Sequence, residues 1–359
     1  MSAEIHPNLA GLQQTWPMPS APRPITILGA GGIVRDGHLP AYRKMNLPVA
    51  GIFDVNPETA RKLAADFGVS VVHATLEEAL AACGTDGIFD LALPPAAILS
   101  TVEQLPHNSV ALIQKPLGPD GATARKIVSA LDARSVTAAT NFQLRFTPSM
   151  LAIRDAVRKG LLGDVVDVEV RLAVYMPWEL WSFIPHLDAV EIPLHSIHYL
   201  DWIRSLLGEP ESVYAKAVKH PRYPTLADAR SSIILDYGDR VRCALSLNHT
   251  YNYGPEHVEA TIRVEGSKGA AHLTVGYLID YIKPVPEKLE FITEGGTWTE
   301  LPLQGERVPD AFGFVMANLQ RYAAGEDTVL DTDVHDSVRT MALVDAALKS
   351  SRLGGVVPE

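Results

Sequence analysis

Cysteine is nearly absent: the chain of 359 residues has two, Cys83 and Cys243, far apart and in no Cys-x-x-Cys arrangement. That excludes a disulfide framework or a zinc knuckle and points to reduced thiols. No apolar run is long enough to cross a membrane as a helix. The opening segment "MSAEIHPNLAGLQQTWPMPSAPRP" lacks a charged-then-apolar leader and reads as a proline-punctuated arm. Basic residues are in deficit, 31 against 42 acidic, for a net charge of −11. Such a balance argues against nucleic acid or an anionic membrane surface as partner, although a local basic pocket for an anionic small molecule stays compatible with it. A cytoplasmic protein acting on a small molecule is the expectation.

What is present is an ordinary globular composition, 47% apolar and 20% charged. The length calls for more than one core. From Ile25, short β-branched runs alternate with helical stretches: "ITILGAGG", "LPVAGIFDVN", "GIFDLALPP", "SVALIQKPLG" and "VTAATNFQLRF" read as buried strands. Between the second and third, "PETARKLAADFG" reads as a helix that starts near Pro57 and stops at Gly68. This alternation predicts a doubly wound parallel sheet. After about Arg145 the texture changes to alternating strands such as "DVVDVEVRLAVYM" and "SSIILDYGD", joined by turns, which predicts an open, mainly antiparallel sheet. The expected organisation is an arm over 1–23, a Rossmann domain over 24–144, an α/β domain over 145–330, and a final helix over 331–359.

"GAGGIV", Gly29 to Val34, follows the first strand, and Asp54 closes the second. Gly29 permits a tight turn, Gly31 lets backbone amides approach a pyrophosphate, and a helix beginning near Gly32 and Ile33 stabilises that anion. Asp54 can accept from the adenosine ribose hydroxyls and repels a 2′-phosphate, which favours NAD over NADP. Val34 stands where a third glycine is usual, and Gly37 and Pro40 predict an irregular start to the following helix.

These motifs accumulate along the chain. "GAGGIV" with Asp54, "LPP" at Leu93–Pro95, "QKP" at Gln114–Pro116, "NFQLRFTP" at Asn141–Pro148, "IHYLDWIRSLLGEP" and "SSRLGGVV" occur in the order seen in the glucose–fructose oxidoreductase/myo-inositol dehydrogenase (Gfo/Idh/MocA) family, which the chain resembles over nearly its whole length. The resemblance implies a Rossmann domain followed by an open sheet domain with a final helix packing back. It implies NAD contacts at Gly29, Gly31, Gly32, Ile33, Asp54, Pro94 and Lys115, and a reaction centre at Lys115 and His198. Hydride leaves a carbinol carbon while a base takes the hydroxyl proton. An ordinary lysine is too basic for that role near neutrality. Gln114 replaces the family's usual glutamate, removing a carboxylate that would hold the proton, so Lys115 is expected to deprotonate readily.

The family commonly has an aspartate four residues before the histidine; here that position is Leu194. His195 and Glu191 are the nearby substitutes, His195 sharing a helical face with His198. Glu191 has two readings, a role toward substrate and a helix cap with Asp188. Glu191, His195 and His198 offer ligand types adequate for zinc or manganese, but the family generally needs no metal, and a metal-free acid/base and substrate surface is the expectation. Tyr175, Trp178 and Trp181 could stack on a sugar ring or build a core or subunit interface, and Arg145 could meet a carboxylate or, as the resemblance also allows at such a junction, be structural. The implied activity is NAD-dependent oxidation of a sugar, polyol or sugar acid by a homodimer or homotetramer. A redox-neutral isomerase or glycoside-cleaving lyase with tightly held NAD, and a non-catalytic ligand sensor, are the alternatives.

Overall fold

The computed structural model describes residues 7–178, 183–276 and 285–355. They fall into two compact units, each described by itself below. The first comprises Thr15–Phe146 and Val308–Ala342; the second comprises the described residues within Met1–Gln14, Thr147–Arg307 and Leu343–Glu359.

The first unit is built on a sheet of β1 (Ile25–Leu28), β2 (Val49–Phe53), β3 (Ile88–Leu91), β4 (Val110–Ile113) and β5 (Thr137–Thr140), in the order β2-β1-β3-β4-β5. Every pairing is parallel. β1, β3 and β4 are buried on both faces, which is why they read as continuous apolar runs. The helix Pro57–Phe67 starts where expected: the Asn56 side chain accepts from Glu58 N at 3.1 Å. It ends at Gly68, whose φ of 72° a side chain would strain.

Whereas the sequence reading carries the second domain to residue 330, helix Asp310–Ala323 belongs to this first unit. Its Phe312, Val315 and Leu319 are buried in one cluster with Ile27, Ile52 and Leu112. An amphipathic pattern shows that a helix buries a face, not which sheet receives it. The final helix, Val334–Leu353, gives its first residues to the first unit and its last to the second.

The second unit holds β6 (Val165–Ala173), β7 (Ser212–Val218), β8 (Arg230–Asp236), β9 (Arg242–Asn248), β10 (Glu259–Gly266), β11 (Gly269–Thr274), β12 (Lys288–Thr293) and β13 (Thr299–Leu301). Their order is β13-β12-β11-β10-β6-β9-β8-β7, antiparallel throughout except for β6 with β9. Alternating burial along β8, β9 and β10 marks one covered and one open face. Both cysteines are free and buried. Among the described residues no helix is long and apolar enough to cross a membrane.

Candidate functional site

In a parallel sheet every strand points its carboxyl end the same way, so the segments leaving the strands share one edge; with the order 2-1-3-4-5 the strand order reverses between β1 and β3. Gly29 follows β1, Asp54 follows β2, Pro94 lies just beyond β3 and Lys115 just beyond β4. Gly29 has φ +104°, and a Cβ there would sit 2.4 Å from the Ala92 carbonyl oxygen. Only glycine fits so close a crossing. Gly31 is different: a Cβ there would meet nothing within 4 Å, and at Gly32 only the tip of Arg35 at 3.9 Å. The space over this part of the turn is open to a ligand that approaches the backbone. It belongs to a cleft of about 420 Å³ lined by Ala30, Gly31, Gly32, Arg35, Thr59 and Lys62 among others.

Asp54 accepts from Ala30 N and from Asn56 N, both at 2.7 Å. It therefore fastens the glycine turn to the end of β2, while each carboxylate oxygen keeps capacity for a further donor. The helix after the turn is π-helical over Val34–His38. Pro40 has no N–H for an ordinary i→i−4 bond, and a Cβ on Gly37 would lie 2.9 Å from the Phe312 ring. A fully buried network holds this helix down. His38 Nδ1 is 2.7 Å from Asp90 Oδ2, Tyr42 donates to the same oxygen at 2.8 Å, and Asn141 Nδ2 stands 3.1 Å from His38 Nε2. Sequence reasoning did not single out these four residues, whose side chains meet only once the strands are paired.

Lys115 is half-buried at the end of β4. Gln114 N donates to Leu91 O at 2.9 Å, and Gln114 Oε1 accepts from Lys115 N at 3.1 Å. Gln114 thus does more than omit a carboxylate: it clamps the backbone that presents the lysine. Desolvation lowers the Lys115 ammonium to about 8.

In the second unit the helix begins at Glu191, is π-helical over Ile192–Ser196 and is α-helical over Ile197–Leu207. Short π-helical stretches of this kind are frequent at functional sites. Its cap comes from Asp228 rather than Asp188. Asp228 Oδ1 accepts from Val190 N at 3.1 Å and from Glu191 N at 2.6 Å. That frees the Glu191 side chain to turn inward, where it is fully buried.

Glu191 Oε2 lies 2.9 Å from His249 Nδ1 and 3.7 Å from His195 Nδ1, while Ser196 Oγ donates to Oε1 at 3.2 Å. Burial alone would raise this carboxyl, but the His249 and His195 imidazoles outweigh it and hold it down at about 2. The two imidazole rings are 4.4 Å apart, and Trp178 lies over them at 5.1 Å from His195 and 6.4 Å from His249. His195 and His198 are both half-buried while Ser196, Ile197 and Tyr199 between and after them are buried, so the two histidines share the accessible side of the helix.

The remaining sequence candidates distribute as follows. Trp178 is buried with Met176, Ile184, Val190 and Leu194 in an apolar cluster, so it packs beside the His195 and His249 rings rather than standing open as a platform. Leu194 has joined that cluster too. Tyr175 is half-buried and bridges Thr250. Arg145, read as a partner for a substrate carboxylate, is 3% exposed and already has partners in the first unit: Asp331 O and Asp336 Oδ2, each at 2.7 Å. Trp181 lies outside the described residues. His249, which sequence reading passed over, sits one residue past β9, where its N–H donates to Ala229 O beside Asp228, the residue that caps Glu191.

A model of the GFO/IDH/MocA C-terminal domain matches residues 150–272. D-apiose dehydrogenase of Paraburkholderia graminis is 26% identical over 348 residues, covering 92% of this chain and 88% of that protein. Inositol 2-dehydrogenase of Rhizobium meliloti is 24% identical, covering 90% and 95%. Among solved structures, an oxidoreductase from Agrobacterium radiobacter in complex with NAD+, L-tartaric acid and magnesium superposes with a TM-score of 0.75 at 20% identity, covering 92% and 97%. The dehydrogenase WlbA of Bordetella pertussis, in complex with NADH and UDP-GlcNAcA, gives 0.71 at 20% identity, covering 92% and 97%. The ordered sequence motifs, both sheets and these likenesses converge: the chain belongs to the Gfo/Idh/MocA family.

Proposed function

We propose that this protein is an NAD-dependent oxidoreductase moving hydride between a CH–OH carbon of a sugar, polyol or sugar acid and nicotinamide. The observation that carries the reading is the glycine turn of the first unit. It is closed at Gly29, open over Gly31 and Gly32, and fastened to Asp54 at the strand edge that also presents Lys115. When bound there, NAD supplies the hydride acceptor. The turn amides and the helix beginning at Gly32 hold its pyrophosphate, Asp54 takes the ribose hydroxyls, and the same carboxylate disfavours a 2′-phosphate. The D-apiose and inositol dehydrogenases among the relatives support the sugar and polyol class.

Lys115 is the proposed base. Its ammonium, lowered to about 8, gives up its proton close enough to neutrality for the free amine to take the substrate hydroxyl proton. His198, half-buried on the second unit's helix, is the proposed donor to the oxygen as alkoxide charge develops, and His195 beside it orients the same substrate. The test follows nicotinamide absorbance with NAD and with NADP across aldoses, polyols and sugar acids. One substrate class reducing NAD, with the rate falling at least about a hundredfold in Lys115→Ala, supports the reading. Tight NAD binding with no substrate reducing it contradicts the reading.

A further inference from the structure

The proposed reaction uses Lys115 and His198 for proton movement; it gives no task to the buried carboxylate beneath His195. Glu191 and His249 are buried, and the His195 side chain is 17% exposed. One ligand atom from each of the three lies within 4.8 Å of the others. Glu191 Oε2 stands 2.9 Å from His249 Nδ1 and 3.7 Å from His195 Nδ1. Donors held about 2.0–2.2 Å from a tetrahedral zinc ion stand roughly 3.4 Å apart, so side-chain adjustments on the order of an ångström would bring this set to coordination distance. We propose that Glu191, His195 and His249 bind a divalent transition-metal ion of the zinc class.

The chemistry of the set fits that class. Two imidazole nitrogens and one carboxylate oxygen suit zinc and its first-row neighbours and match poorly the all-oxygen shells of magnesium or calcium. The two carboxylate oxygens are also treated differently. Oε1 receives the Ser196 hydroxyl at 3.2 Å, and Ser196 Oγ is in turn 3.1 Å from Ser231 Oγ, leaving Oε2 turned to both imidazoles. Outer groups that orient ligands in this way are a regular part of metal sites.

The backbones are pinned as well. Asp228 holds Glu191 N, while His249 N donates to Ala229 O and His249 O accepts from Met176 N, both at 3.2 Å. Trp178 closes the site from water on one side. Three protein ligands leave a fourth position, and His195, the exposed member, marks the side on which a further ligand would enter. Occupancy of the site stands independently of the proposed reaction; any use of the fourth position to polarise a substrate oxygen rests on that reading.

The experiment uses the full chain without a histidine tag. The purified protein is stripped with chelator and titrated with zinc chloride by calorimetry, and separately loaded with cobalt(II) for its visible spectrum. The expected result is one ion per chain at micromolar zinc or below, and a cobalt spectrum of low coordination number. Zinc affinity should fall at least about a hundredfold in Glu191→Gln and His249→Gln, and about tenfold in Ser231→Ala. His195→Asn, at the partly exposed member, serves as the variant least tied to folding, checked by circular dichroism. A wild-type protein that takes up no zinc at micromolar concentration overturns the proposal. So does an affinity left unchanged in a folded His195→Asn protein. Neither result touches the dehydrogenase reading, which is scored by NAD reduction alone.

Discussion

His249 Nδ1 stands 2.9 Å from Glu191 Oε2, linking the end of β9 to the first turn of the helix that carries His195 and His198. Both side chains are buried, so the pair holds the helix start against the sheet without competition from water. Removing one partner strands the other. Glu191→Ala should therefore destabilise the metal-free protein by about 2 kcal/mol, read from urea unfolding. A change within about half a kcal/mol would show that the pair does not hold the helix.

The glycines of the turn should separate by assay. Gly29→Ala places a Cβ against the Ala92 carbonyl in a backbone conformation disfavoured for side chains, and should cost at least about 2 kcal/mol of stability. Gly31→Ala meets nothing within 4 Å and should leave stability nearly unchanged. Its added methyl would enter the space we propose for the pyrophosphate, so NAD affinity should drop at least about tenfold. Calorimetric titration with NAD beside the unfolding curves reads both.

The pH dependence of turnover follows from Lys115. With its ammonium lowered to about 8, the free amine dominates above that pH, and substrate oxidation should rise with pH through a limb near 8. Stability moves in the same direction. The unfolded chain keeps this proton up to about 10.4, the folded chain only to about 8, so stability gains between those values because the unfolded state binds more protons there. Lys115→Met should remove both the kinetic limb and that rise. A limb unmoved by the substitution would assign the base elsewhere.

Association should use the open face of the second sheet rather than its edge. Along β7 the Ser350 and Ser351 hydroxyls accept the Ala215 and Ala217 N–H groups at 3.0 and 2.9 Å, so the edge strand is already occupied. Tyr214 and Ile234 face each other across β7 and β8, 60% and 53% exposed. A homodimer or homotetramer through this face should shift toward monomer mass in Tyr214→Asp/Ile234→Asp, measured by light scattering.

What was legible in the sequence was what depends on local period and punctuation. Buried parallel strands show as apolar runs, Gly29 and Asp54 stand at fixed places after two of them, and Gly68 ends a helix whose start Pro57 marks. Contacts made across the chain were not legible. His249 reaches Glu191 over 58 residues, and Asp228 caps a helix for which Asp188 was the nearer choice. Arg145 shows the same limit: an arginine at a domain junction stays open between a substrate contact and a structural role until the segment Asp331–Asp336 supplies its partners. Trp178 likewise stays open between sugar platform and core until residues from four separate stretches close around it.

The central claim is hydride transfer from a substrate carbinol carbon to nicotinamide, and carrying deuterium at that carbon tests it most directly. With the substrate that reduces NAD, deuterated at the reacting position, the account predicts deuterium recovered in the reduced nicotinamide and a slowed rate. Reduced cofactor without the label, or substrate conversion that leaves the label in the sugar and NAD unreduced, would contradict it.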